Sequence, residues 1–208
     1  VFIIGGRRGL GLAIAQEWRR AYPLDRVKVS SRRPEAQVIC DLSSEKSVED
    51  LLLFLDTEKP QRVFCVAGGG PYGEYVSKQW KDHRWALEVC LMAPLRIAHH
   101  CLQAPWCEQL VFVGSAIAES SPDRHAASYS SAKHGLIGFL KTVVQESTKD
   151  IRLFSPGYMA TEMLPPNAAK ILGSSVLDPQ QVAVAFREWA SSPQAAWHKI
   201  YTPPAICD

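Results

Sequence analysis

Short apolar runs alternate with segments of helical period along almost the whole chain. Runs at 1–5, 26–31, 36–40, 61–67, 109–115, 150–155 and 199–203 read as strands, and segments at 9–22, 44–58, 78–103, 127–149 and 178–192 read as helices. Strands rich in Val, Ile and Phe with helices between them predict parallel pairing through right-handed crossovers. The expected fold is α/β: a doubly wound (Rossmann-type), mostly parallel sheet in three layers. No linker-like run divides the chain, so one domain over 1–208 is expected, with a substrate-loop segment at about 157–178. Ligands of such sheets bind beyond the carboxyl ends of the strands, where strand order reverses.

Composition narrows the partners. Lys and Arg number 23 against 21 acidic residues, a net charge of +2 that is too balanced for a nucleic acid or a membrane surface as main partner. No apolar run approaches the ~18 residues of a membrane span, and a cytoplasmic protein is expected. Six cysteines (Cys40, Cys65, Cys90, Cys101, Cys107 and Cys207) include no CxxC and read as free thiols, mostly buried. His99, His100 and Cys101 are neighbours on a helix and point apart, so no metal site is expected.

Gly5-Gly6-Arg7-Arg8-Gly9-Leu10-Gly11 follows the first strand and opens the first helix. Glycines permit close backbone approach, and a helix amino end offers free N–H groups to an anion, so the turn suits a pyrophosphate. At the end of the second strand, Ser30-Ser31-Arg32-Arg33 contains no acid to hold a free ribose 2′-hydroxyl. Arg8, Arg32 and Arg33 instead suit a 2′-phosphate, which favours NADP(H) over NAD(H). Asp41-Leu42 closes the third strand; Asp41 either meets the adenine amino group or caps the helix starting near Ser44.

Tyr129 and Lys133 lie four residues apart in a helical segment and therefore share one face. A fixed positive charge beside a phenol favours the phenolate, so the pair can handle a proton.

With these motifs the chain resembles the short-chain dehydrogenase/reductase family over nearly its whole length. The family's TGxxxGxG turn is similar to Ile4 through Gly11, and its serine after strand five to Ser115 in Val111-Phe112-Val113-Gly114-Ser115. Its YxxxK is similar to Tyr129 through Lys133, and its proline-glycine motif to Pro156-Gly157, with Thr161 where the cofactor's carboxamide or phosphates are met. The resemblance implies hydride transfer between NADP(H) and a carbonyl or alcohol carbon of a small molecule. Tyr129 would be the general acid, Lys133 would lower its pKa and bind the nicotinamide ribose, and Ser115 would orient the substrate oxygen. Ala67 and Gly68 would join Gly5, Arg7, Arg8, Gly9, Leu10, Gly11, Arg32, Arg33, Asp41, Leu42, Tyr129, Lys133, Pro156, Gly157 and Thr161 around the cofactor.

Three positions depart from the family pattern. Cys90 stands where the family places an asparagine, Cys65-Val66-Ala67-Gly68 where it has NNAG, and Ile4 where the turn begins with threonine. The short segment after Pro156-Gly157 suggests an open or small substrate site. Gly68 to Gly73 and Tyr158-Met159 are candidate walls for it, whereas Tyr72, Tyr158 and Met163 read equally well as packing. The tail also lacks the family's glycine-rich end, which favours a homodimer through the helices at 78–103 and 127–149, with a tetramer as the alternative. The expected activity is NADPH-dependent reduction of a small or medium ketone or aldehyde. The alternatives are an NADP(H)-binding protein with little or no turnover, and a related lyase or epimerase.

Overall fold

The computed structural model describes residues 1–116, 119, 124–164 and 175–202. Seven parallel strands form one sheet in the order β3-β2-β1-β4-β5-β6-β7: β1 (Phe2–Ile4), β2 (Lys28–Ser31), β3 (Val38–Ile39), β4 (Arg62–Cys65), β5 (Gln109–Val113), β6 (Asp150–Pro156) and β7 (His198–Tyr201). The helices are α1 (Gly9–Ala21), α2 (Glu45–Glu58), α3 (Trp80–Leu87), α4 (Ala93–Gln103), α5 (Ala127–Glu146) and α6 (Pro179–Ser191).

Alternation along the strands feeds two cores. Phe2, Ile4, Val63, Cys65, Leu110 and Phe112 face α2, α4 and α5, while Ile3, Phe64, Val111, Val113 and Phe154 face α1 and α6. Both faces are covered, which is why these strands read as continuous apolar runs. On the α1/α6 side, Phe64 meets Trp18 at 5.0 Å and Phe186 at 5.2 Å between ring centroids, edge to face. The buried Glu17 of α1 binds Arg187 of α6 at 2.7 Å and joins the two helices.

Local signals set the helix ends. Ser44 caps α2 by accepting from the Ser47 amide, and Asp178 caps α6 by accepting from the Gln180 amide, with Pro179 in the first turn. The single helix expected at 78–103 is instead α3 and α4 joined by a π-helical turn, Glu88–Met92, which carries Cys90. Apolar period alone does not register one extra residue in a turn. Strand order reverses between β1 and β4, and the glycine turn lies at that switch point. Among the described residues no helix is long and apolar enough to cross a membrane. Cys40, Cys65, Cys90, Cys101 and Cys107 are free and buried; Cys207 and residues 165–174 of the expected substrate loop lie outside the described residues.

Candidate active site

The glycine turn is tied to its neighbours through the backbone. The amides of Gly5 and Gly6 both donate to the Ser30 carbonyl, at 3.0 and 3.1 Å, fixing the turn against the end of β2. Gly5 has φ +90°, and a Cβ there would come within 2.7 Å of the Ala67 backbone, so only glycine fits. Arg8, at the N-cap of α1, makes no side-chain capping hydrogen bond among the described residues, and the first turn of that helix carries no acid. Its amino end is thus left for an anionic ligand. The buried Nε of Arg7 lacks a hydrogen-bond partner among the described residues. An orphaned cationic donor beside an uncapped helix start fits a pyrophosphate-bearing cofactor.

One cavity at the carboxyl ends of the strands brings the sequence-predicted residues together. Gly5, Arg7, Arg8, Gly9, Leu10 and Gly11 line it with Arg32, Asp41, Leu42, Ala67 and Gly68. Ser115, Tyr129, Lys133, Pro156, Gly157 and Thr161 complete the opposite side. Arg33 is not among the lining residues; it is exposed, and its amide donates to Ser31 Oγ at 3.1 Å. Asp41 does not cap α2: its Oδ1 accepts from the amide and hydroxyl of Ser43, at 3.0 and 2.8 Å.

The expected arginine clamp is not assembled. Arg8 is paired with Glu162 at 3.0 Å, and the Arg32 guanidinium lies over the Trp85 ring at 5.4 Å. Glu162 and Trp85 also line the cavity and were not singled out from sequence. An aromatic residue within a helical apolar pattern reads as core, and nothing local distinguishes an exposed Glu that pairs across 154 residues.

Ser115, Tyr129 and Lys133 converge at the inner end. Ser115 hydrogen-bonds the Tyr129 hydroxyl. The Lys133 ammonium lies 5.6 Å from the centre of the Tyr129 ring and donates to the Val113 carbonyl at 2.6 Å. Burial pushes the Tyr129 phenol above its ordinary value, outweighing the Lys133 charge; the Cys90 thiol acts in the same upward direction, and the Ser115 hydrogen bond opposes it. Lys133 does act to lower the tyrosine's pKa, as expected, but in the protein alone desolvation outweighs it. Neutral phenol is the form that can donate a proton.

The fold and this convergence have counterparts among known proteins. The family model for short chain dehydrogenase matches residues 1–171. The chain belongs to the short-chain dehydrogenase family. It is accordingly an oxidoreductase of the short-chain dehydrogenase/reductase type. The 3-oxoacyl-[acyl-carrier-protein] reductase MabA of Mycobacterium bovis is 25% identical over 176 residues, covering 78% of this chain and 70% of the relative. The 3-oxoacyl-[acyl-carrier-protein] reductase FabG of Escherichia coli K12 is 24% identical over 181 residues, covering 77% and 73%. A 4-hydroxyisoleucine dehydrogenase complexed with NADH and succinate superposes with a TM-score of 0.83 at 20% identity, covering 97% of both chains. BdcA in complex with NADPH gives 0.81 at 19% identity, covering 96% of this chain and 91% of that one.

Cys90, where the short-chain dehydrogenase pattern has asparagine, is satisfied in its own way. Its Sγ accepts from the Gly69 amide at 3.2 Å and donates to the Gly69 carbonyl at 3.1 Å. The departure thus retains a donor and an acceptor, both turned on one glycine. Of the candidate substrate walls, Gly68, Gly70, Pro71, Tyr72, Tyr158, Met159 and Met163 line the cavity.

Proposed function

We propose that this protein is an NADPH-dependent carbonyl reductase that converts a small or medium ketone or aldehyde to the alcohol. The observation that carries the reading is Tyr129 set between Ser115 and Lys133 in the cavity that the glycine turn opens. The cofactor, when bound, supplies hydride from C4 of its nicotinamide. Tyr129 donates its proton to the substrate oxygen as charge builds there, and Ser115 donates a hydrogen bond to the same atom. Lys133 stabilises the phenolate left behind and binds the nicotinamide ribose. Gly5 through Gly11 hold the pyrophosphate with Arg7, while Asp41 and Leu42 flank the adenine end. Ala67 and Gly68 would help hold the cofactor's ribose, and Pro156, Gly157 and Thr161 its nicotinamide portion. Arg8 and Arg32, which contact Glu162 and Trp85, would hold the 2′-phosphate; Arg33 has no part in this arrangement. The curated relatives' printed activity, reduction of a 3-oxo group, supports the reductive direction. The working form in this reading is a cytoplasmic homodimer through α3, α4 and α5, where Met92 is half exposed and Gly138 meets open space.

A panel of ketones and aldehydes with NADPH, followed at the nicotinamide absorbance band, tests the activity. Oxidation of NADPH with at least one compound is expected. Saturable NADPH binding without oxidation across the panel would favour a cofactor-binding protein without turnover. The hold of the Val113 carbonyl on Lys133 is the observation that favours that second reading.

A further inference from the structure

Behind Ser115 lies a buried polar cluster that the proposed chemistry does not use. Glu119, whose side chain is only 7% exposed, binds His198 Nε2 at 2.9 Å through Oε2. Its Oε1 accepts from the Ser155 hydroxyl, and His198 Nε2 also lies 3.3 Å from Ser155 Oγ. A carboxylate this deep is tolerated only when its oxygens are satisfied, and these two partners do so. The three residues come from three places: the segment after β5, the end of β6 and the start of β7. In the β6/β7 ladder His198 is opposite Leu153 and Ile200 opposite Ser155, so Ser155 and His198 are diagonal neighbours on one face.

The cluster is coupled to both walls of the site. The Glu119 amide donates to the Ser115 carbonyl at 3.2 Å, and the Ser115 side chain meets Tyr129. Pro156 and Gly157, which line the cavity, follow Ser155 directly. Gly114 makes the room: a Cβ there would overlap Ser155 Oγ and lie 3.1 Å from Glu119 Oε1.

We infer that Glu119, with Ser155 and His198, is a positioning cluster that fixes Ser115 against Tyr129 and holds the Pro156-Gly157 wall in register with it. The inference rests on the reading of Ser115 as the group that orients the substrate oxygen. None of the three residues is among those lining the cavity. They act by removing the freedom of the segment that does, and misplacement of a reacting group by about 1 Å costs on the order of a hundredfold in rate.

The test compares Glu119→Ala, Glu119→Gln, Ser155→Ala and Ser115→Ala with the wild-type protein. In Glu119→Ala, kcat is expected to fall about 10–100-fold with KM for NADPH unchanged, and Glu119→Gln, which keeps neutral hydrogen bonds, to lose less. Backbone amide exchange at residues 114–116 and 119 is expected to quicken in Glu119→Ala while exchange in α1 stays the same, a readout independent of turnover. Ser155→Ala removes a single oxygen and keeps the test decisive should Glu119→Ala fail to fold. Unchanged exchange at residues 114–116 and 119 in Glu119→Ala, or at the same residues in Ser155→Ala if that variant must stand in, overturns the inference, as does unchanged kcat when Ser115→Ala is impaired. Full activity in Ser115→Ala would instead overturn the role given to Ser115.

Discussion

The Cys90 thiol bridges both ends of one peptide residue, accepting from the Gly69 amide at 3.2 Å and donating to the Gly69 carbonyl at 3.1 Å. Cys90 is fully buried. A Cβ on the neighbouring Gly68 would lie 3.7 Å from Cys90 Sγ and 3.5 Å from Lys133 Nζ, which places the thiol close to the Lys133 ammonium.

Cys90→Ala leaves the Gly69 donor and acceptor unpaired, at a cost of about 1–3 kcal/mol. Thermal unfolding should show a Tm lowered by several degrees, with Cys90→Ser lying between Ala and wild type because its hydroxyl keeps both hydrogen-bonding capacities. Burial also pushes the Cys90 thiol above its ordinary value. Iodoacetamide should therefore label Cys90 only after unfolding, as peptide mapping would record.

In the proposed reading, cofactor choice rests on Arg8 and Arg32, which line the cavity together with Arg7. NADPH should bind more tightly than NADH, and Arg8→Ala or Arg32→Ala should weaken NADPH by about 10–100-fold, the worth of one charge-assisted contact, with NADH little changed. Equal binding of the two cofactors by the wild-type protein in a fluorescence titration would contradict this assignment.

Glu17 ties α1 to α6, and the Arg20 hydrogen bond, opposed by burial and reinforced by Arg187, holds its carboxyl below the usual range. A depressed folded pKa stabilises above the unfolded value near 4.5, and that stabilisation is lost as pH falls through the folded pKa. Glu17→Ala should lower Tm by roughly 3–10 °C at pH 7. The gap to wild type should close as pH falls below about 4.5 in urea titrations read at several pH values.

The alternation of apolar strands and helices made the layered parallel sheet legible, because parallel strands covered on both faces leave a continuous apolar signal; the strand order came only with the structure. That Ser115, Tyr129 and Lys133 meet at one cavity was legible through motif spacing. The state of Tyr129 was not: proximity to Lys133 is readable four residues away in sequence, whereas burial depends on distant elements closing over the phenol. The π-turn at Cys90 and the Glu162 partner of Arg8 were invisible for related reasons. One inserted helical residue hardly disturbs an apolar period, and pairing across 154 positions leaves no local trace. His198 gave no warning either, since its meaning arises only when β6 and β7 pair.

Tyr129 should show its acid role in pH dependence. With the free protein's phenol raised above 10.0, the proton donor remains in place through neutral pH, and kcat/KM for reduction should decline through loss of this proton only above about pH 10. Stability carries the same sign: a raised folded pKa means that stabilisation is full below the unfolded pKa and is lost as pH rises through the folded one.

The most direct measurement is the rate of NADPH oxidation by Tyr129→Phe on a carbonyl substrate the wild-type protein turns over, with NADPH affinity measured in parallel. The proposed chemistry predicts a fall of about 10²–10⁴-fold in kcat with cofactor affinity nearly unchanged. Turnover equal to wild type would contradict it.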